Sequence, residues 1–404
     1  MKKLLSILLI AFSMQGFTQT APVQHHTHFE LGSGLNFAFN DSAYLFKISG
    51  MVQPYMSFEQ LTDQDAEYFF NARRTYFNIS GTAVKEKVDF FIQMDYSQPN
   101  ALLDAWIRYR PIERLSITFG QKQTIGNNRE MMIMEDRLQF PGRSILSTTF
   151  SNSGREFGVY ADYTFGTNIL IIPQVGFTSG DGKNSFGEDS RDIDVGGFKY
   201  AARIDIYPLG AFSQGNTNLV ADLAHEETPK LVVGGAASFN DGASEPVGEG
   251  HGEFILFNQI GEAQQPDYRQ VYGDLLVKFK GFSFLGEYVV ATATNLEGTY
   301  IEPTGTDLLL PTNISQYLAL GSGYNLQLGY TTRSGFGLDL RYSNVKPEFE
   351  ENLNSIVQEQ DAWTVGLVKY FKGNDLKVQG TIGSVSQGMD TDLLVGQLMI
   401  QAIF

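Results

Sequence analysis

Residues 86–122 alternate in a way that few folds can accept. In EKVDFFIQMDYSQPNALLDAWIRYRPIERLSITFGQK, Val88, Phe90, Ile92, Met94 and Tyr96 fall on one side of an extended segment. Asp89, Gln93 and Asp95 fall on the other, with Phe91 as the interruption. After the Gln98-Pro99-Asn100 turn the same period sets Leu103, Ala105, Ile107 and Tyr109 against Asp104, Trp106, Arg108 and Arg110. After Pro111 it sets Leu115, Ile117 and Phe119 against Ser116, Thr118 and Lys122. Successive side chains of a strand point to opposite faces, so three neighbouring strands each carry one apolar and one largely polar face. A sheet inside a soluble core rarely needs Asp, Arg and Gln on every strand. A closed barrel with lipid outside and water inside does.

The alternation continues almost to the last of the 404 residues, which favours one long barrel over several soluble domains. Besides the three strands above, we read strands at 44–58, 71–82, 155–165, 168–178, 197–208, 229–240, 269–280, 281–294, 316–330, 335–346, 361–371, 374–386 and 392–404. The total is sixteen, an even number as a single-chain outer-membrane barrel requires. The expected fold is therefore all-β: a transmembrane antiparallel β-barrel of about 16 strands. Short turns at Gln98–Asn100, Arg110–Arg114, Gly166-Thr167, Arg333–Gly335 and Gly373-Asn374 alternate with long loops, which is the asymmetry of a periplasmic and an outer end. The chain closes VGQLMIQAIF, with Leu394, Leu398, Ile400, Ala402 and Phe404 on one face.

Lys2 and Lys3 followed by the apolar run from Leu4 to Phe12 have the layout of a secretory signal peptide, which we place at residues 1–19. Residues 20–43 read as a flexible mature terminus, and its His25, His26 and His28 as solvated rather than metal-binding. Residues 44–404 are the barrel domain. Within it, residues 123–153 keep no alternation and are far longer than a hairpin needs. Met131, Met132, Ile133 and Met134 favour burial, so we expect this loop to fold inward and narrow the lumen, presenting Arg129, Glu130, Glu135, Asp136, Arg137 and Arg143. The acidic loop GDGKNSFGEDSRDIDVGG lacks EF-hand spacing and reads as a solvated outer loop.

These motifs resemble those of the phosphate-selective porin O and P family: AlaArgArg at 72–74, LLDAWIRYRP at 102–111, FGQK at 119–122, PGR at 141–143, GREFGVYADY at 154–163, the EY pair at 287–288, GYNLQLGY at 323–330, LDLRYS at 338–343 and the final strand. The resemblance covers about residues 44–404. It implies a 16-stranded, usually trimeric, outer-membrane diffusion channel with a long inward loop and, in anion-selective members, rows of Arg and Lys along the pore. Here the inward register offers Arg74, Arg108, Arg110, Lys122, Arg203, Lys278, Lys280, Arg341 and Lys369. It also offers Asp89, Asp95, Asp104, Glu156, Asp162, Asp205, Asp274, Glu287 and Asp339, so the two sets nearly cancel. A phosphate site needs several basic groups against few acids. A mixed lumen passing small polar solutes or ions is the more cautious expectation, with anion or phosphate preference left open.

The net charge of -16 argues against a nucleic-acid partner, whose footprint would be basic. With no Cys there is no disulfide, lipoprotein thiol or thiol nucleophile. GxxxxGK[ST], GxSxG and HExxH do not occur. The expectation is thus a non-enzymatic porin without cofactors, in the outer membrane of a Gram-negative-type bacterium after export. Its partners would be membrane lipid, small solutes and two further copies of itself. The alternative is a barrel enzyme or adhesin-like structural barrel of the same membrane. A soluble β-sandwich would require polar residues on the face holding Phe90, Ile92 and Met94, which the sequence contradicts.

Overall fold

The computed structural model describes residues 26–39, 43–151, 154–180, 182–184, 197–248, 252–386 and 392–404. The signal-peptide reading at 1–19 and most of the acidic loop lie outside them. A short hairpin, β1 (His26–Glu30) and β2 (Gly34–Phe39), precedes the wall. The wall consists of β3 (Tyr44–Leu61), β4 (Glu67–Ala83), β5 (Val88–Asp95), β6 (Leu102–Ile112), β7 (Leu115–Gln123), β8 (Arg155–Tyr163), β9 (Leu170–Thr178) and β10 (Lys199–Tyr207). It continues through β11 (Lys230–Asn240), β12 (Asp267–Phe279), β13 (Phe282–Thr294), β14 (Gly321–Thr331), β15 (Phe336–Pro347), β16 (Gln360–Lys372), β17 (Leu376–Ser386) and β18 (Asp392–Ile403). Each pairs antiparallel with the next, and β18 returns to β3 in the register Leu398↔Met56 and Ile403↔Met51. The sixteen strands β3–β18 form a closed antiparallel barrel.

Period-two chemistry selects the two surfaces. Along β12, Tyr268, Gln270, Tyr272, Asp274, Leu276 and Lys278 are buried inward, while Val271 between them is 57% exposed. Exposed aromatics ring both ends of the outer surface, with Tyr109, Phe282, Tyr330, Phe336 and Phe371 at one and Tyr96, Phe177, Phe198 and Trp363 at the other. An apolar band flanked by aromatic girdles is the outer face of a membrane barrel. The β12–β13 connection is only Lys280-Gly281, both at positive φ (51° and 89°), the conformation of a two-residue hairpin turn that matches strand twist.

Four sequence expectations change in the folded chain. Residues 26–39 of the segment read as flexible are the β1–β2 hairpin; β2 pairs with Tyr44–Ile48 of β3 and extends the edge beyond the end of β18. The Gln98–Asn100 turn lies at the loop-bearing end, since β5 enters there and β6 leaves. The opposite, terminal end, which carries Tyr44 and Phe404, is not uniformly short-turned, because residues 208–229 join β10 to β11 across it. Lys369 lies outward, its Nζ over the Phe336 and Phe371 rings and bonded to the Ser334 carbonyl, so it snorkels at the rim.

Candidate functional site

Residues 124–151 leave β7, cross the barrel interior and return to β8. The segment holds two short helices, α1 (Arg129–Met132) and α2 (Ile145–Phe150), and Met131, Leu138, Phe140, Leu146 and Phe150 are buried in it. A segment without alternation has no strand partner to satisfy its backbone, so inside a barrel the polar inner wall must do so. The Asp136 carbonyl accepts from Asn374 (2.5 Å) and Gln401 (2.9 Å), the Leu138 carbonyl from Lys377 (3.0 Å) and the Gln139 carbonyl from Gln379 (2.7 Å). At the other limb, Gln270 and Tyr272 donate to the Phe150 carbonyl.

Charge fixes the same segment at three points. Arg129 binds Asp205 (2.7 Å) and Asp274 (2.6 Å), and Arg203 binds the same two aspartates, giving a buried four-member cluster of zero net charge. Glu130 accepts from Ser144 N and Oγ and from Ser147 Oγ, where Ser144 caps α2, and from Gln327 of β14. Burial opposes its ionisation, but Arg341 and the two serines outweigh burial and hold its pKa below the ordinary glutamate value. Glu135 receives Arg155 (3.0 Å), Arg143 (2.8 Å) and the Tyr76 hydroxyl (3.1 Å). Burial again favours the neutral acid; Arg155 and Arg143 overcome it and keep the Glu135 carboxyl well below its usual range.

A depressed carboxylate pKa fixes the pH response of this anchor. Its contribution to stability is fully present above the unfolded value of about 4.3 and is lost as pH falls through the lower folded value. Thermal stability in detergent, so far as it rests on these carboxylates, should therefore hold from pH 7 to pH 5 and fall only in stronger acid. A transition between pH 7 and 5 would point to another group.

The second inward segment, residues 208–229, enters from the terminal end. Its Phe212 and Val220 pack with Ile133 and Leu138, so segments from opposite ends meet in the lumen. Lys278 donates to the Asn216 and Leu219 carbonyls, and Asp222 accepts from Gly281 N and Glu226 N. At the loop-bearing end, residues 241–248, 252–266, 295–320 and 348–359 share an apolar core with α2, including Leu256, Leu309, Leu318, Leu320 and Val357. Between the two segments, at the terminal end, lies a cavity of about 510 Å³ bordered by the inner face of β3–β5, Met134–Arg137, Gln214–Ala224 and Gly373–Asp375.

The sequence-derived candidates separate accordingly. Arg129, Glu130, Glu135, Arg143 and Arg203 are buried in the anchors just described, and Lys278 is fully buried as a tie for the second segment. Lys122 lies 4.6 Å from the Tyr160 ring centre inside β7–β8. Arg108 and Arg110 both clamp Asp89 near the terminal end. Asp136 and Arg137 line the cavity, with Arg137 37% exposed and only 3.7 Å from Asp136. Arg74 bonds Gln53 (2.9 Å) and the Pro141 carbonyl (3.2 Å), and Arg341 bonds the Gly142 carbonyl (2.7 Å).

Period-two reading missed Arg73. A register shift between Val52 and Pro54 sets two residues of β4 against one of β3, so Arg73 turns toward the same side as Arg74. It lies against the Tyr55 ring and so close to Gly142 that a Cβ there would meet its Nη2 at 2.6 Å. Arg73, Arg74 and Arg341 thus surround the Pro141-Gly142 corner, and neither Arg73 nor Arg74 forms an ion pair among the described residues. A second bulge, at Gln93/Met94, turns Leu103 into the lumen with Met51, Tyr76 and Ile403, although simple alternation places it outward.

No protein-family model matches the chain, and no curated protein matches it. Solved structures do. The in-vitro folded OmpT of Vibrio cholerae in its trimer form is 9% identical, over 89% of this chain and 99% of that one, with a TM-score of 0.51. The outer membrane channel DcaP of Acinetobacter baumannii is 10% identical over 90% and 99%, with a TM-score of 0.52. Pseudomonas putida OprB is 10% identical over 89% and 94%, with a TM-score of 0.50. What the chain has in common with them is the fold, a 16-stranded closed barrel of the outer-membrane type.

Proposed function

We propose that the chain is an outer-membrane porin through which small polar solutes and ions diffuse passively. The observation that carries this reading is the combination of an apolar outer wall with two inward segments that narrow a polar lumen without filling it against β3–β5. The mechanism needs no turnover chemistry and no cofactor. Solutes follow the β3–β5 side past Arg73, Arg74 and the Pro141-Gly142 corner, then through the cavity bordered by Asp136 and Arg137. Three arginines at one corner with Glu130 as the neighbouring acid give that point a bias toward anions, stronger than the nearly cancelling wall charges suggest. The trimer form of one structural neighbour, together with the resemblance to porins, supports a homotrimer.

Planar-bilayer recording of the detergent-extracted protein tests this directly. Ohmic steps with a reversal potential on the anion side in a KCl gradient are expected; absence of steps overturns the reading. The two loop arginines should also behave differently. Arg137→Glu changes an exposed charge and should shift the reversal potential toward cations with thermal stability kept. Arg143→Glu places a carboxylate beside Glu135 and the Glu130 and Ile133 carbonyls, and should destabilise the fold before selectivity can be compared.

A further inference from the structure

We infer that the cavity at the terminal end is a solute-binding station for small amphipathic zwitterions, free amino acids and dipeptides being the chemical class. The inference rests on the porin reading and adds a substrate class to it. Four charges border the cavity: Lys47 and Arg137 are cationic, Asp136 and Asp375 anionic, and the formal sum is zero. Lys47 projects inward from β3, opposite Ser80, within electrostatic reach of Arg137 and Asp375. It makes no ion pair among the described residues, and Arg137 has only its loose contact with Asp136. Charges of both signs that are not neutralised by close pairing can each take a ligand charge of opposite sign. A carboxylate is met by Lys47 and Arg137; an ammonium is met by Asp136 and Asp375.

The rest of the lining fits the same class. Asn78 and Gln214 supply amides for a peptide group, while Met134 and Leu223 supply apolar surface for a side chain. A purely inorganic ion would leave that apolar surface unused, and a sugar would leave the opposed charges unmatched. The volume, about 510 Å³, falls within the range of small-molecule sites. Neither inward segment alone makes this space, because Met134–Arg137 and Gln214–Ala224 come from opposite ends of the barrel.

The experiment is single-channel recording of the full-length protein with the dipeptide alanyl-leucine added on the side of the terminal end, and with acetyl-leucine and alanyl-leucinamide, which lack one charge each, as comparators. Brief current blocks at millimolar dipeptide are expected, with both comparators about tenfold weaker. Lys47→Gln and Arg137→Gln should each weaken dipeptide block about tenfold while open-channel steps persist, and persistence of those steps shows that the variant folds. Open channels that alanyl-leucine does not block, or block that is equal for all three compounds or unchanged in both variants, overturn the station and leave the porin. Absence of any conductance in the unaltered protein overturns the porin reading, and the station with it.

Discussion

A Glu135→Ala chain is expected to lose about 3–5 kcal/mol of stability and to conduct severalfold more current than the unaltered protein. The reason is asymmetric. Glu135 is the carboxylate that faces both Arg143 and Arg155, and it also takes the Tyr76 hydroxyl, so one substitution leaves two guanidinium groups and a phenol facing a buried gap. Arg155 keeps Asp104 at 2.9 Å, whereas among the described residues Arg143 keeps only backbone carbonyls of the loop itself. Breaking a buried pair from one side strands the other charge, which costs more than the pair contributed. The loop limb near residues 132–143 should then separate from β4 and β8 and widen the path. Glu135→Gln, which retains an acceptor without the charge, should fall between. Thermal unfolding in detergent and bilayer conductance measure the two effects. If both stay at their original values, the limb is held by its carbonyl anchors and the charge cluster is incidental.

The second large effect is on selectivity. The double variant Arg73→Gln/Arg74→Gln is expected to lower the anion-over-cation permeability ratio more than about tenfold. A unit charge about 6 Å from a passing ion is worth roughly 3 kcal/mol at an effective dielectric constant of 20. Counter-ions with a Debye length of about 10 Å at 0.1 M salt cut this roughly in half, to about 1.5 kcal/mol, which is more than a factor of ten for one charge. The effect should shrink further in 1 M KCl, where the Debye length is about 3 Å. Reversal potentials at the two salt concentrations are the measurement. An unchanged ratio at low salt would mean that ions bypass the Pro141-Gly142 corner.

The barrel itself was legible because its physics is periodic. A strand between lipid-like and wet surroundings must alternate, and the sixteen alternating runs, with ends displaced by a few residues, are the sixteen wall strands. The insert at 123–153 also stood out, since it lacks alternation and concentrates four consecutive apolar residues, Met131–Met134, in a stretch otherwise rich in charge. What alternation cannot reveal is where it is interrupted. Each bulge adds a residue on one strand alone, so Arg73 and Leu103 changed sides with no local composition to announce it. The segment 208–229 was hidden for a different reason: its side chains are ordinary, and its place is set by contacts with Ile133, Leu138 and Lys278 far away in sequence. The β1–β2 hairpin did leave a signal, Leu35, Phe37 and Phe39 at period two behind the turn-forming Gly32-Ser33-Gly34, and it was obscured by the histidines beside it. Identity of a wall charge was readable; its partner was not, which is why several cations of the inward register proved to be anchors.

The seam between β18 and β3 joins residues more than three hundred positions apart, Leu393 to Leu61 and Ile403 to Met51 among them. Until the last strand is made, the growing sheet has two unsatisfied borders, each able to template another chain. Closure must await the carboxyl end, so the rate of maturation is governed by a contact of the longest possible range, and such contacts form slowly. A chain shortened by even the final strand would be left open and prone to aggregate rather than form a narrower cylinder, and a cell making this protein has to shield the unfinished sheet throughout its transit.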